Sequence, residues 1–275
     1  NPSVQRVISS LRFGETQASG KFSVIPILDG ESEGPEYLVL PEALREDLIT
    51  ITEVSAGGSV PDLRVINRAD RPVLLLDGEE LAGAKQNRVV NTTILVKEKC
   101  ETIIPVSCTE QGRWAHISPH FAESESVMAH KARAKKTASV SESYRRECRP
   151  RSDQREVWKE VLVFQECAQV ASPTGAMRDV FVEKREVLED FLKPFECVET
   201  QCGFIAVQNG RVMGMDRISR PDGYRFLHTK LLKSYGIEAY LDRAEMKEYS
   251  AIDVAQAFLQ KIPTLTEQEF PSVGY

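Results

Sequence analysis

Short apolar runs interrupted by polar residues dominate the first 114 positions of the chain. The run from Ile49 to Val54 alternates isoleucine with threonine, which is the period of a half-buried strand. Other strand-sized runs lie at 22–28, 37–40, 63–67, 73–77, 89–96 and 102–107. The run at 22–28 is predicted to end at Asp29-Gly30, and Pro41 predicts the first turn of a short helix. Pro26 and Pro105 cannot donate to a strand ladder, so both predict edge strands or bulges.

Beyond Trp114 the apolar positions follow a helical period. The stretch 129–146 is rich in Ala, Lys, Arg and Ser and predicts an exposed helix. The next helix is predicted to start at Asp153, which has Glu156 in the capping-box position. Its apolar stripe consists of Val157, Trp158, Val161, Leu162 and Ala168. A further helical stripe runs over 177–192, with Ser172-Pro173 as its predicted start and Pro194 after its end.

The clearest local signal in the chain is Asn209-Gly210 between two apolar runs, 204–208 and 211–216. Both central residues of a type I′ turn need positive φ, so this pair predicts a β-hairpin. Two later helices are predicted, one over Tyr224–Tyr235 and one capped by Ser250. The chain thus has predicted strands in its first part, predicted helices in its later part and one β-hairpin among the helices. This order predicts an α+β fold with an antiparallel or mixed sheet. We expect a single domain over 1–275, with a possible internal seam near 116–152.

Composition and charge narrow the function classes. The chain has 275 residues and a net charge of −6, which argues against general binding to nucleic acid or anionic lipid. The segment 129–155 carries +6, so the rest of the chain carries −12. No apolar run reaches the roughly 18–20 residues that span a bilayer. The six cysteines are too sparse for a disulfide scaffold, so reduced thiols in a cytoplasmic protein are expected.

The candidate site is the polar cluster between Asp77 and Trp114. Three carboxylates, Asp77, Glu79 and Glu80, end an apolar run, and cationic and amide side chains follow them. A second stretch, 110–114, leaves another predicted strand with the same mixture. The candidate catalytic residues are Glu79, Glu80 and Glu110. The candidate ligand-binding residues are Asp77, Lys85, Gln86, Arg88, Asn91, Arg113 and Trp114.

Three chemistries fit these residue types. Carboxylates with oxygen-rich neighbours suit a divalent cation such as Mg²⁺ or Ca²⁺, and paired carboxylates can divide acid and base roles. Lys85, Arg88 and Arg113 suit phosphate, and Trp114 suits a base or sugar ring. The plain alternative is a charged hairpin loop with solvated ion pairs. Gly78-x₄-Gly83 lacks the Gly-Lys-Ser/Thr of a P-loop, so that motif is rejected.

Two other features have plain explanations that weigh against a site. His116 and His120 are separated by Ser118-Pro119, which breaks the helix that would align them as metal ligands. The basic run over 131–151 suits an anion or nucleic acid, but a solvated helix face that docks on the protein's own acidic groups explains it better.

The motifs around the candidate site resemble one uncharacterised family. They are Leu-Leu-Asp77-Gly-Glu79-Glu80-Leu-x-Gly83-x-Lys85-Gln86-Asn87-Arg88-x-x-Asn91, Pro105-Val-Ser-Cys-x-Glu110-Gln111-Gly112-Arg113-Trp114 and Lys230-Leu-Leu-Lys-Ser-Tyr235. The family is the ADP-ribosylglycohydrolase and rhodanese-phosphatase-superfamily-associated proteins (ARPP). The resemblance implies processing or sensing of NAD-derived or ADP-ribose-type metabolites, and it implies no specific reaction.

Three functions remain open from the sequence. The first is an enzyme that processes a phosphorylated nucleotide-sugar or ADP-ribose-like compound at a pocket formed by 77–91 and 110–114. The second is a non-catalytic nucleotide-ligand sensor that uses the same pocket. The third is a protein–protein interaction protein that uses the basic segment 131–155.

Overall fold

The computed structural model describes residues 2–28 and 34–275, and the side chains of 4–28 and 34–275. The predicted strand end at Asp29-Gly30 therefore lies outside the described residues. Over the described ranges, none of the helices has both the length and the apolar character needed to span a membrane.

The chain forms two compact units. The first consists of Asn1–Pro35 and Glu186–Glu269, and the second of Glu36–Arg185 and Phe270–Tyr275. The segment 116–152, where the sequence suggested a seam, lies inside the second unit.

The strands follow one another in chain order as β1 (Arg12–Phe13), β2 (Gln17–Ser19), β3 (Phe22–Leu28), β4 (Leu38–Val39), β5 (Ile49–Glu53), β6 (Asp62–Asn67), β7 (Val73–Leu75), β8 (Glu79–Gly83), β9 (Arg88–Val90), β10 (Ile94–Val96), β11 (Cys100–Cys108), β12 (Phe121–Val127), β13 (Gln201–Gln208) and β14 (Arg211–Arg217). The α-helices are α1 (Pro2–Ser9), α2 (Leu40–Arg45), α3 (His130–Glu147), α4 (Gln154–Ala168), α5 (Met177–Glu183), α6 (Arg185–Leu192), α7 (Pro221–Leu241) and α8 (Ala251–Lys261), and a short 3₁₀ helix spans Ile262–Thr264.

The first unit is built on an antiparallel sheet in the order β1-β3-β13-β14, with β2 also paired to β3. Apolar side chains of β3 and β13 pack with the buried face of α8, which includes Ala255 and Leu259. The predicted hairpin is confirmed, because β13 and β14 are joined by Asn209 and Gly210 with φ of 50° and 79°. Both angles are positive, as a type I′ turn requires.

The second unit contains a sheet in the order β12-β8-β9-β11-β6-β5 and a smaller one in the order β10-β7-β4. Only the pairing of β4 with β7 is parallel among the described strands. Their apolar side chains, including Ile51, Leu63, Val90 and Ile104, form one fully buried core. The run 89–96 divides between the two sheets as β9 and β10. The α+β prediction is confirmed.

The prediction that Pro26 and Pro105 mark edge strands or bulges is wrong, because β3 and β11 both lie inside their sheets and the strand register does not shift at either proline. The carbonyl of Pro26 accepts from Gly14, so its nitrogen faces the gap between β1 and β2. The carbonyl of Pro105 accepts from Asn91, and pairing with β9 begins one residue later at Val106. In each strand the proline lies where no partner needs its missing N–H.

The predicted helix starts are confirmed for α4 and α8 and are wrong for α5. Asp153 caps α4 by accepting from two backbone amides, and Ser250 caps α8 by accepting from the backbone amide of Asp253, as predicted. The predicted start at Ser172-Pro173 is wrong, because α5 begins at Met177 and the Ser172 hydroxyl accepts from Ala176 before it. The buried stripe of α4 is narrower than predicted, since Leu162 is 55% exposed.

The hairpin turn yields a stability prediction. Gly210→Ala places a Cβ at φ +79°, where L-residues are strained, so we expect a loss of about 1–2 kcal/mol in the free energy of unfolding. Urea denaturation measures the change, with the exposed neighbour Arg211→Ala as the control. Equal stability of the Gly210→Ala variant and the control would contradict the turn assignment.

Candidate ligand-binding site

Strand pairing brings the two polar stretches together. β9 runs antiparallel to β11, with Arg88 opposite Cys108 in the register. Residues 85–88 therefore lie beside 108–113. The side-chain amide of Gln86 donates to the Glu110 backbone carbonyl (2.8 Å), and the backbone amide of Asn87 donates to Glu110 Oε2 (3.1 Å).

The 110–114 segment is held in place from a second direction by the loop before α5. Glu110 forms an isolated antiparallel bridge with Ala176, and the Gly112 amide donates to the Thr174 carbonyl (2.7 Å). A Cβ at Gly112 would lie 2.9 Å from that carbonyl oxygen, so this close approach requires glycine.

Arg113 ties the turn after β8 to the strand exit. Its guanidinium forms a two-point contact with Glu110, at 2.8 Å from Nε to Oε1 and 2.5 Å from Nη2 to Oε2. It also donates to the Ala84 carbonyl (2.7 Å) and to Asn87 Oδ1 (3.2 Å). The Arg113 guanidinium is therefore occupied by the protein's own groups.

Glu110 is saturated as an acceptor. Besides Arg113 and the Asn87 amide, the Thr174 hydroxyl donates to its Oε1 (2.8 Å). Burial acts to raise the pKa of Glu110, but the hydrogen bonds from Arg113, Thr174 and Asn87 outweigh it and hold that pKa below its ordinary value. A carboxylate bound in this way positions the segment and is a poor proton acceptor.

Arg88 differs from Arg113 in having unused donors. Its side chain is fully buried, and only Nη1 bonds, to Gln86 Oε1 (3.2 Å) and the Asn87 carbonyl (3.4 Å). Nε and Nη2 are buried and have no hydrogen-bond partner among the described residues. Burial lowers the pKa of Arg88, and the charges of Cys108 and Glu53 oppose this shift.

Trp114 covers this guanidinium. Its ring centroid lies 5.8 Å from Arg88 Cζ and 5.1 Å from Lys85 Nζ, within cation–π range, and the residue is 49% exposed. Lys85 Nζ also donates to the carbonyls of Ala56 (2.9 Å) and Gly57 (2.6 Å). The Lys85 ammonium thus holds the 56–57 loop beside Trp114.

Glu53, at the end of β5, completes the group. Its Oε2 is buried without a hydrogen-bond partner among the described residues, and its Oε1 accepts from the Lys85 amide (3.4 Å). A Cβ at Gly58 would lie 3.2 Å from Glu53 Oε2 and 3.4 Å from Trp114, so glycine leaves room there. We refer to Glu53, Lys85, Arg88, Arg113 and Trp114 as the Arg88–Trp114 cluster.

Asp77 and Asn91 belong to a different group of contacts. Asp77 forms ion pairs with Lys136 and Arg133 of α3 and accepts from the Thr137 hydroxyl (3.0 Å). Lys136 Nζ also donates to the Asn91 carbonyl (2.8 Å). The two ligand-binding candidates at 77 and 91 therefore anchor the basic helix, and among the described residues their side chains form no hydrogen bond or ion pair with the Arg88–Trp114 cluster.

Glu79 and Glu80 are both fully buried within β8. Glu79 Oε2 accepts from the Leu76 amide (3.0 Å) and so closes the turn before the strand. Glu80 accepts from the hydroxyls of Thr109 (3.0 Å) and Ser126 (2.9 Å). Burial raises the pKa of Glu80 even though these hydroxyls and Ser124 oppose the shift. The run 78–83 is a turn and a strand, which is not the loop-to-helix geometry of a P-loop.

Sequence reasoning missed Glu53, Cys108, Thr109 and Thr174. Cys108 and Thr109 lie within the motif that runs from Pro105 to Trp114 but were given no role there. Glu53 and Thr174 lie 121 residues apart and outside the quoted motifs. Cys108 is fully buried, its Sγ lies 3.3 Å from Gln86 Oε1, and burial raises the pKa of its thiol. Only the pairing of β9 with β11 makes it a neighbour of Arg88. Among the described residues, no three His, Cys, Asp or Glu side chains form a group suited to a metal ion.

The fold and the cluster together define an α+β protein in which a buried arginine lies beneath a half-exposed indole. The chain belongs to the family of the ARPP-1 domain, the ARG and Rhodanese-Phosphatase-superfamily-associated Protein domain, whose model matches residues 10–275. The resemblance inferred from the motifs is thereby confirmed. Comparison with curated proteins and with solved structures found no match.

The buried Glu80 yields a prediction of pH dependence. Its folded pKa is raised, so its contribution to stability is fully present below the ordinary value of 4.5 and is lost as pH rises through the folded pKa. Glu80→Gln removes the ionisation and keeps the shape, so we expect the variant to gain stability relative to the unchanged protein as pH rises above 4.5.

Urea unfolding between pH 4 and pH 8 measures this difference. Glu123→Gln on the neighbouring strand β12, which is less buried, serves as the control. A constant difference between Glu80→Gln and the unchanged protein across the pH range would show that the pKa of Glu80 is the same in the folded and unfolded states.

Proposed function

We propose that the second unit binds a phosphorylated, nucleotide-type metabolite of the ADP-ribose or NAD-derived class at the Arg88–Trp114 cluster. The observation that carries the proposal is the fully buried guanidinium of Arg88, two of whose nitrogens lack partners among the described residues. An ionised group buried without compensation costs several kcal/mol. A ligand oxyanion would supply the missing acceptors, and phosphate matches a guanidinium edge in a two-point geometry.

The neighbours of Arg88 favour a nucleotide over a simple anion. Trp114 is half exposed and can stack on a base, while its other contacts are the cations beneath it. Glu53 Oε2 is an acceptor of the same cluster with no hydrogen-bond partner among the described residues, and it is suited to a ribose hydroxyl. A free phosphate would use Arg88 and leave Trp114 and Glu53 unused. Family membership supports the same ligand class.

Binding without chemistry is better supported than processing. Glu110 has no acceptor capacity to spare, and Glu79 and Glu80 are fully enclosed within β8. A general acid or base must come within hydrogen-bonding reach of the reacting atom. The enzyme hypothesis would require these carboxylates to be uncovered when the ligand binds.

The protein–protein interaction hypothesis rests on the basic residues of α3, and several of these form ion pairs within the chain. Arg133 and Lys136 pair with Asp77, and Lys135 pairs with Glu160. Much of the basic face of α3 is thus used to dock the helix on acidic groups of the same unit.

The first test is thermal denaturation with ADP-ribose, AMP and adenosine, with and without Mg²⁺. A ligand at 100 times its Kd adds about 2.7 kcal/mol to stability. We expect ADP-ribose and AMP to raise the Tm, and adenosine, which lacks phosphate, to bind at least about tenfold more weakly. Equal effects of AMP and adenosine would remove the role assigned to Arg88.

Variants separate a binding role from a structural one. Arg88→Met removes an uncompensated charge, so we expect the free protein to be unchanged or more stable by about 1–2 kcal/mol, with the ligand-induced shift lost. Arg149→Met, on an exposed arginine, should keep both properties. Should Arg88→Met fail to fold, Arg88→Lys keeps the charge without the planar fork and should weaken ligand binding. A less stable Arg88→Met protein that still responds to ADP-ribose would contradict the proposal.

Trp114 provides a direct readout. Trp158→Phe leaves Trp114 as the single tryptophan of the chain, so ADP-ribose should change its fluorescence with the same concentration dependence as the thermal shift. An unchanged spectrum at saturating ligand would show that binding occurs elsewhere.

Catalysis is tested on the same samples. We expect ADP-ribose and NAD to be recovered intact after incubation. Turnover that is lost in Glu80→Gln or Glu110→Gln would instead assign the processing function.

A further inference from the structure

A recess lies within the second unit, along one face of α4. Its volume is about 470 Å³, within the range of roughly 300–1,000 Å³ for small-molecule sites. Its lining includes four residues of α4 at helical spacing, Arg155, Trp158, Lys159 and Leu162. Two residues outside the helix, Gln111 and Gly175, also line it. We call it the α4 recess.

The lining of the α4 recess is cationic. Arg155 and Lys159 contribute positive charge, and no carboxylate is among the lining residues. Lys159 pairs with Glu156 at 3.6 Å, but the two side chains are 64% and 52% exposed. An ion pair that exposed is weak, so Lys159 can turn toward a bound anion at little cost.

The recess also presents apolar and aromatic surface. Leu162, which the sequence placed in the core, is 55% exposed here, and Val161 lies beside it. Trp158 is partly exposed and offers its ring. A large apolar side chain exposed next to a cationic rim is typical of a site for a flat organic anion.

The indole nitrogen of Trp158 faces the interior of the unit. Its Nε1 is buried beside the Cys108 thiol, where it opposes the burial that raises the pKa of that thiol. The part of Trp158 that borders the recess is therefore apolar ring surface.

We propose that the α4 recess binds a small aromatic carboxylate. Arg155 and Lys159 hold the carboxylate, and the ring lies against Trp158 and Leu162. This site uses none of the side chains of the Arg88–Trp114 cluster, so it stands independently of the function proposed above. The ligand class is a carboxylate with a flat aromatic body, because the cations Arg155 and Lys159 border the same recess as Trp158 and the exposed Leu162.

The test is an NMR titration of protein with ¹⁵N-labelled tryptophan. The chain contains two tryptophans, so the spectrum has two indole N–H signals, and Trp114→Phe assigns them. The probe is 2-naphthoate, and the neutral control of the same shape is 2-naphthylmethanol. We expect 2-naphthoate to shift the Trp158 signal saturably and to leave the Trp114 signal in place.

Charge variants decide whether the cations hold the carboxylate. The double variant Arg155→Glu with Lys159→Glu should bind 2-naphthoate at least about tenfold more weakly, and Arg151→Glu, on an exposed arginine outside the recess, should bind as the unchanged protein does. A Trp158 signal that does not respond, equal affinity for the neutral analogue, or equal loss in Arg151→Glu would each overturn the proposal. Because thermal shifts with ADP-ribose report on Arg88, failure of one site is distinguishable from failure of the other.

Discussion

The antiparallel pairing of β9 with β11 is the constraint on which the candidate site depends. It sets Arg88 opposite Cys108 and so brings the polar residues after β8 beside those that leave β11. Side chains alternate between the faces of a strand, so a shift of one residue would turn Arg88 to the other face. Arg113 fixes the ends of this pairing through Glu110, Asn87 and Ala84.

The second unit encloses several charged groups, and they are compensated in different ways. Lys136 is buried against Asp77 and backbone carbonyls, so its charge has a direct partner. Glu80 is surrounded by hydroxyls, and its raised pKa favours the neutral form. Two nitrogens of Arg88, Nε and Nη2, have no hydrogen-bond partner among the described residues. Since burial of unpaired polar groups is costly, this contrast is the reason why the proposed ligand is placed at Arg88.

The two tryptophans mark two different environments in one unit. Trp114 lies over two cations and faces outward, next to an unpaired carboxylate oxygen of Glu53. Trp158 lies in a recess with cations at its rim and apolar side chains within it. In the first environment a stacked ring would sit above the buried charge, whereas in the second the ring and the charge lie side by side on one helix face. The ligands proposed for the two environments therefore differ in shape.

The sequence by itself determined the elements with strong local signals. Asn209-Gly210 specified its turn through φ, Asp153 and Ser250 specified helix starts through backbone capping, and the long motifs specified the family. It also located the stretches 77–91 and 110–114 as unusual. Only the tertiary structure decided which of their side chains meet, because strand partners far apart in sequence leave no local pattern. For this reason the sequence did not show that Asp77 anchors α3 or that hydroxyl groups enclose Glu80. Nor did it show that Glu53, from a strand with no polar motif, lies near Trp114.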